Sequence, residues 1–326
     1  MKLRRELITV SMVALLGGCN PAGQTGNVTT PVSVTPAPTS TPAPTPSPTP
    51  TPTPSPTPTP ASSGYTPIAQ LTGSGTLLAA STGYALSNDV FAFGVGGFGE
   101  GLPLGYNIPA QSYLINNGPA QNFTFGPANL IPGSPAGTLR YRLASGVELA
   151  VIVPNGNVEQ YVRFYDYIVP GSVVTNRIFG LAGIPTRSND IPNQGTVAYR
   201  LGRLYGSAFV GRPGNRVQYD LSPSQVGLTI DFGARRITTQ IDLIGTPVSG
   251  GANTSLGRIQ LVATFDGVII SSSITQTNFT VPAMPQVAAG VLFGPQGQEA
   301  GFALAYATSN GIDSAMEINV VGSAVR

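Results

Sequence analysis

Histidine and tryptophan are absent from the sequence, cysteine occurs once, at Cys19, and charged side chains make up only 9% of the 326 residues. Without histidine there is no Ser-His-Asp triad, no Cys-His dyad and no imidazole metal site, and a lone thiol cannot build a thiolate centre. The single lysine, Lys2, lies in a segment that reads as cleaved, which removes Ser-Lys chemistry as well. Asp231, Asp242, Asp266 and Glu299 are scattered over separate strands and turns, and no aspartate-rich loop has the spacing of a calcium site. These absences read as a chain that is not an enzyme and carries no catalytic residues, metal or dissociable cofactor. Lys2, Arg4, Arg5 and Glu6 all fall within the first 18 residues, so the rest of the chain carries equal numbers of basic and acidic side chains. Nucleic-acid binding thereby loses its electrostatic basis.

What is present begins with a targeting signal. A basic start (Lys2, Arg4, Arg5) precedes the apolar run Leu7 to Leu16, which is too short for a membrane-spanning helix and has the layout of a secretory signal over residues 1–18. Leu16-Gly17-Gly18-Cys19 resembles a lipobox, in which the cysteine sulfur receives diacylglycerol and becomes the mature N-terminus. Acyl chains add about 0.8 kcal/mol per buried CH₂, enough for several chains to hold the protein on outer-membrane lipid through Cys19. Asn20, where an aspartate would stand in a retained lipoprotein, resembles lipoproteins that go on to the outer membrane.

Of 31 prolines, 13 fall in residues 31–60, where proline alternates with Thr or Ser from Pro44 to Pro60. Such a stretch favours polyproline II and has nothing to bury; at ~3.1 Å per residue its thirty residues reach on the order of 90 Å. Residues 19–64 are thus a lipidated N-terminus followed by a disordered stalk, with threonine and serine open to glycosylation.

Residues 65–194 read as a first β domain with irregular strands. The glycine cluster Phe93-Gly94-Val95-Gly96-Gly97-Phe98-Gly99 is not a phosphate loop, since no Lys-Ser or Lys-Thr pair and no helical pattern follow it. Leu139 to Val153 is a hairpin. A three-residue loop Ala144-Ser145-Gly146, with Gly146 left-handed, pairs Leu143 with Val147, Tyr141 with Leu149 and Leu139 with Val151, and sets Arg142 against Glu148. A two-residue loop would set Leu143 against Glu148, so the register selects the longer turn. The aromatic strand Tyr161 to Val169 is either a tyrosine contact surface or one side of a core.

Residues 195–326 carry regularly spaced turns and eight alternating strands, at 196–210, 226–232, 237–244, 257–265, 268–280, 287–293, 301–308 and 314–323, which suits a small closed barrel. A four-residue hairpin loop at Gly233-Ala234-Arg235-Arg236 sets Leu228, Ile230 and Phe232 against Ile241, Thr239 and Ile237. Asp266-Gly267 reads as a two-residue turn pairing Phe265 with Val268. Arg212 and Arg216 fall in one expected loop and Arg235 and Arg236 in another, making them candidate binding-loop residues at one end of the barrel.

The corner Phe293-Gly294-Pro295-Gln296-Gly297-Gln298-Glu299-Ala300-Gly301 joins two apolar strands. Gly294-Pro295 cannot continue a ladder, and Glu299 is the one charge, expected to accept backbone N–H bonds from the loop. Phe293, Gly294, Pro295, Glu299 and Gly301 match the F-[YF]-G-P-x-A-x-E-x-x-G corner, with Leu292, Gly297 and Phe302 departing from it. Gly183-Ile184-Pro185-Thr186 and Pro192 through Tyr199 match a G-x-P-T…P-x-x-G-T-A-x-Y pattern, and Leu228 to Phe232 a V-D-F strand. On these residues the chain resembles the transferrin-binding-protein-B-like surface lipoproteins of Gram-negative bacteria, well over residues 180–326 and loosely over 65–180. The resemblance implies an all-β fold, with a handle-like β domain ahead of an eight-stranded antiparallel barrel. It also implies a monomeric, lipid-anchored protein of the cell outer membrane, displayed at the cell surface, that binds an extracellular protein or metal carrier alongside an outer-membrane transporter. A single lobe argues against transferrin itself. The alternatives from other classes are an envelope structural or assembly component, on the periplasmic face or the outer one, and a carboxylate hydrolase that no motif recommends.

Overall fold

The computed structural model describes residues 64–87, 90–92, 94–118, 121–154, 158–212, 214–266, 269–277, 287–308 and 315–326. The expected signal, Cys19, the stalk, Phe93 and the turn residues Gly267 and Val268 lie outside the described residues.

The first sheet contains β1 (Ser74–Leu86), β2 (Val90–Ala92), β3 (Leu104–Asn107), β4 (Ser112–Asn116), β5 (Asn122–Phe125), β6 (Thr138–Arg142), β7 (Glu148–Ile152), β8 (Val162–Val169) and β9 (Thr175–Gly183). Its order is β5-β4-β3-β1-β9-β8-β7-β6, with β2 beside β1. Strand β1 is the seam: residues 74–77 pair with β3 and residues 78–86 with β9. Beyond β5 the chain turns back so that Leu130 bridges Tyr141 of β6 and the Ile131 N–H donates to the Arg140 carbonyl at 2.7 Å. The two margins of the sheet therefore curl toward each other, enclosing Leu104, Phe125, Tyr141, Leu149, Tyr165 and Tyr167.

The 139–153 hairpin forms with the register its sequence dictates. Leu139 faces Val151, Tyr141 faces Leu149 and Arg142 faces Glu148. Gly146 closes the turn at φ +83°, and Arg142 meets Glu148 at 2.6 Å, with Arg140 at 3.5 Å. Leu139 stays half exposed because it lies at the sheet margin. Of the two readings left open for the aromatic strand, core is the outcome: Tyr165 and Tyr167 are fully buried, and the Tyr165 hydroxyl donates to the Leu102 carbonyl at 2.5 Å. Burial pushes the Tyr167 phenol up to about 12.

The second sheet contains β10 (Thr196–Arg212), β11 (Asn215–Asp220), β12 (Gln225–Asp231), β13 (Arg236–Pro247), β14 (Thr254–Asp266), β15 (Ile269–Thr277), β16 (Val287–Phe293), β17 (Glu299–Thr308) and β18 (Ala315–Val325). Successive strands from β12 to β18 pair antiparallel, and β10 pairs with both β12 and β18, closing a ring of eight. The ring holds the eight strands expected from the sequence, and β11 is an addition to them. It replaces β12 alongside residues 207–212 of β10 and touches the end of β13. Each of the eight strands is thus paired on both sides over part of its length, which limits the margin open to a second chain. Alternate residues fill the interior, where Leu228, Ile237, Leu261, Ala288 and Phe302 border a void of about 20 Å³, too small for a ligand.

Two hairpin registers differ from the sequence reading, each by two residues. Leu228 faces Thr239 and Ile230 faces Ile237, so the loop is residues 232–235 and Phe232 leaves the ladder. The Asp231 carboxylate accepts the Ala234 N–H at 2.8 Å and Arg235 takes φ +50°, while Phe232 folds under the turn against Phe265. Likewise Phe265 faces Ile270 rather than Val268, because Asp266 stays in the ladder opposite Ile269. A shift of two keeps every side chain on its face, so alternation alone cannot detect it.

Candidate functional site

The 293–301 corner and the stretches within residues 183–199 converge on the joint between the two sheets, whereas Leu228, Ile230 and Phe232 stay within the ring, buried beside Tyr199. Phe293 is fully buried and packs edge-on against Phe98 at 5.7 Å between ring centres. Pro185 bridges Phe293, the Thr186 N–H donates to the Leu292 carbonyl at 2.8 Å, and the Thr186 hydroxyl donates to the Gly294 carbonyl at 2.7 Å. The Gly183-Ile184-Pro185-Thr186 stretch thus forms a short extra rung along the corner. From the third stretch, Tyr199 donates its hydroxyl to the Gly297 carbonyl. Gly294 adopts φ +68°, and a Cβ there would overlap the Tyr161 ring. At Gly301 a Cβ would meet Leu181 at 3.0 Å and Phe293 at 3.1 Å, a tight contact rather than an overlap. Gly294 is the position where the ring approaches more closely than a side chain allows.

Glu299 accepts backbone N–H groups as expected, but from a different partner. Its carboxylate takes the Gln160 N–H at 2.5 Å and the Tyr161 N–H at 3.0 and 3.2 Å, across the joint and 138 residues away from Tyr161. The side chain is fully buried, and that burial raises its pKa to about 7, helped by the charge of Glu159 and opposed by the donated N–H groups and Arg163. Glu159 is buried beside it and accepts the Ser323 hydroxyl at 2.8 Å.

The joint continues along the whole contact between the sheets. Tyr84 meets Phe209 at 4.7 Å, Phe179 meets Tyr205 at 5.8 Å, and the Thr82 hydroxyl donates to the Asn319 side-chain carbonyl at 2.9 Å. Asp166 receives a two-pronged Arg177 guanidinium at 2.6 and 2.9 Å and the Tyr205 hydroxyl at 3.0 Å. Beside this cluster, strands β6 to β9, Tyr205 and Ser222 line a groove of about 460 Å³ whose four charged side chains, Arg140, Glu148, Asp166 and Arg177, pair with one another. None of the described groups has the layout of an active site; Glu299, whose carboxyl is pushed upward, is spent on backbone N–H groups.

The four candidate arginines are split between the two ends of the barrel. The distal end holds Arg212, exposed at the close of β10, and Arg216. Arg216 is not a loop residue: it stands on β11, its side chain 8% exposed, paired with Glu317 at 2.6 Å. Arg235 and Arg236 stand at the proximal end, the one in the 232–235 turn, the other opening β13 opposite Asp231. The register carries this end around the ring, from Thr196 opposite Asp231 to the 294–298 corner and Val325 opposite Glu299.

The chain leaves the described fold at this proximal end. The Gly64 carbonyl accepts from the Arg187 guanidinium at 2.8 Å, the Arg187 N–H donates to the Tyr65 hydroxyl at 2.6 Å, and the guanidinium lies 5.0 Å over the Tyr65 ring. At the distal end, exposed apolar side chains gather instead. Val173 (78% exposed) and Val174 form the β8–β9 turn beside Leu86, while Val217 and Val248 (61% exposed) stand next to Gln218, whose amide donates to Tyr84 at 3.1 Å. The sequence hides this gathering, because the five side chains come from four segments spread between Leu86 and Val248.

No protein-family model and no curated protein matches the chain. Solved structures do resemble it in strand arrangement. A transferrin binding protein B mutant from Haemophilus parasuis matches at a TM-score of 0.48 and 15% identity, over 76% of this chain and 46% of that one. The isotype 1 protein from serogroup B Neisseria meningitidis gives 0.43 and 13%, over 76% and 43%. The N-lobe domain of lactoferrin binding protein B from Moraxella bovis gives 0.33 and 10%, over 56% and 80%. The chain spans less than half the length of the first two.

Proposed function

We propose that this chain is an outer-membrane lipoprotein, anchored through Cys19 and displayed at the cell surface, that binds an extracellular protein through its distal end. The observation that carries the reading is the opposition of the two ends. The chain runs toward its lipobox from Gly64 at the proximal end, and exposed apolar side chains of both sheets collect at the other. Scattered surface leucines and valines are ordinary, but five drawn from two sheets to one extremity have the makings of an interface centre. The joint supports this use, since a contact face shared by two sheets keeps its shape only if the sheets cannot shift against each other. The sequence resemblance to transferrin-binding-protein-B-like lipoproteins points the same way; it names no ligand for this chain.

Surface display is tested by adding protease to intact cells carrying an epitope after Arg326. Loss of the epitope while periplasmic markers survive is expected. Protection would move the envelope-assembly reading ahead. Cys19→Ala is expected to release the protein from membranes, and Val173→Asp with Val248→Asp to abolish partner capture on cells without changing surface abundance.

A further inference from the structure

The proximal end has a chemistry of its own. Arg187, Arg200, Arg235, Arg236 and Arg326 are all exposed there, on the segment before β10, on β10, in the β12–β13 turn, at the head of β13 and after β18. Arg200 lies in register with Val325, next to Arg326, so the five come from one rim of the ring. The acidic groups facing them are Asp190, Asp231 and Asp266. Asp190 and Asp231 are half-buried and engaged with the Gln296 and Ala234 N–H groups, while Asp266 is exposed, 3.4 Å from Arg235. The Arg326 guanidinium is held over the corner by the Gln296 carbonyl at 3.2 Å. The rim therefore offers guanidinium groups outward and keeps two of its three carboxylates turned to backbone.

We propose that this arginine rim is a phosphate-facing foot, with which the folded part of the protein sits on the anionic lipid surface to which it is tethered. Guanidinium groups suit phosphate better than ammonium groups do, because their fork of donors takes two oxygens at once. Each arginine near an anionic surface adds about fivefold to the affinity. The tether makes the contact intramolecular, so weak individual contacts suffice. The choice of lipid rather than a free anion rests on where the chain leaves the fold, beside Arg187, and hence on the anchoring reading above. Salt weakens the contact.

The test uses the mature chain with Cys19→Ala, without lipid, and sedimentation with vesicles. Binding is expected to vesicles of phosphatidylcholine mixed with phosphatidylglycerol and not to phosphatidylcholine alone. It should fall by more than about 25-fold in Arg235→Glu with Arg236→Glu, and stay unchanged in Arg212→Glu at the distal end. Equal binding to neutral vesicles, no binding to anionic ones, or an equal loss in Arg212→Glu would overturn the proposal. So would release by inorganic phosphate at constant ionic strength, which would mark a single-anion site. Circular dichroism of each variant separates lost contact from lost fold. Because the probe chain is unacylated, the result is independent of whether Cys19 carries lipid, which the membrane-release experiment decides separately.

Discussion

The two sheets solve the same problem in different ways. The β10–β18 ring buries mostly aliphatic side chains, among them Leu204, Ile241, Leu243, Ile259 and Leu304, and gives each of its eight strands two neighbours. The β1–β9 sheet stays open, curls until a single bridge links its margins, and fills the space with tyrosine and phenylalanine. Closure supplies the ring with hydrogen-bonded partners on every side, so small regular side chains suffice. The open sheet lacks that support and uses large rings to span its interior and a second body to cover its outer face. That body is the ring, reached through the joint. The 183–186 stretch and the 293–301 corner belong to the contact between the two: they are what fastens one to the other.

The strongest attempt to break this comparison is Gly180→Val. A Cβ at Gly180 would fall within the Tyr165 ring, so the change should cost more than about 3 kcal/mol and collapse the first sheet. Urea unfolding should then resolve two transitions, with the ring surviving the first; a single transition would mean that the ring cannot stand without its cover. Phe293→Ala, which empties the centre of the joint, should cost about 3 kcal/mol and expose both sheets to amide exchange along their contact. Glu299→Ala leaves the Gln160 and Tyr161 N–H groups buried without an acceptor and should cost about 2 kcal/mol.

Glu299→Gln sharpens the comparison through pH. The folded carboxyl keeps its proton up to about 7, whereas the unfolded chain loses it at the ordinary glutamate value. Between the two, unfolding releases a proton, so this group's contribution to stability falls as pH rises and is level above 7. The amide variant should lack that slope in melting temperature, and an unchanged slope would place the titration elsewhere. The smallest effect belongs to Arg142→Ala. Its exposed pair with Glu148 fixes register in the open sheet but should contribute less than about 0.5 kcal/mol.

Much of the ring was legible because period-two alternation marks strands buried on one side. Register was legible only where a second signal broke the degeneracy. Gly146 and the Arg142–Glu148 pair did so in one hairpin. The 232–235 turn had no such marker, and its loop slid by the two residues that alternation cannot see. Strand β11 escaped notice because Asn215, Arg216, Gln218 and Asp220 read as a polar loop, and only its ladder with β10 brings Arg216 to Glu317 of β18. The joint was half readable. Glu299 could be recognised as an acceptor of backbone N–H groups, but nothing local to it names Gln160 and Tyr161, since that pairing exists only once two sheets have met.

The closing rung between β10 and β18 carries a consequence in time. Gly211 and Ala315 are partners more than a hundred residues apart, so a chain emerging from a ribosome or a secretion channel holds β10 unpaired on that side until residues 315–325 arrive. Strands β1 to β9 are complete by Gly183 and need none of the later strands for their own ladders. The order of synthesis thus places a formed surface, with Phe179 and Leu181 on it, in front of the ring's strands while they are still gathering. The last strand is then both the lock and the clock: until it docks, the ring is an open sheet with two edges available to any neighbouring chain.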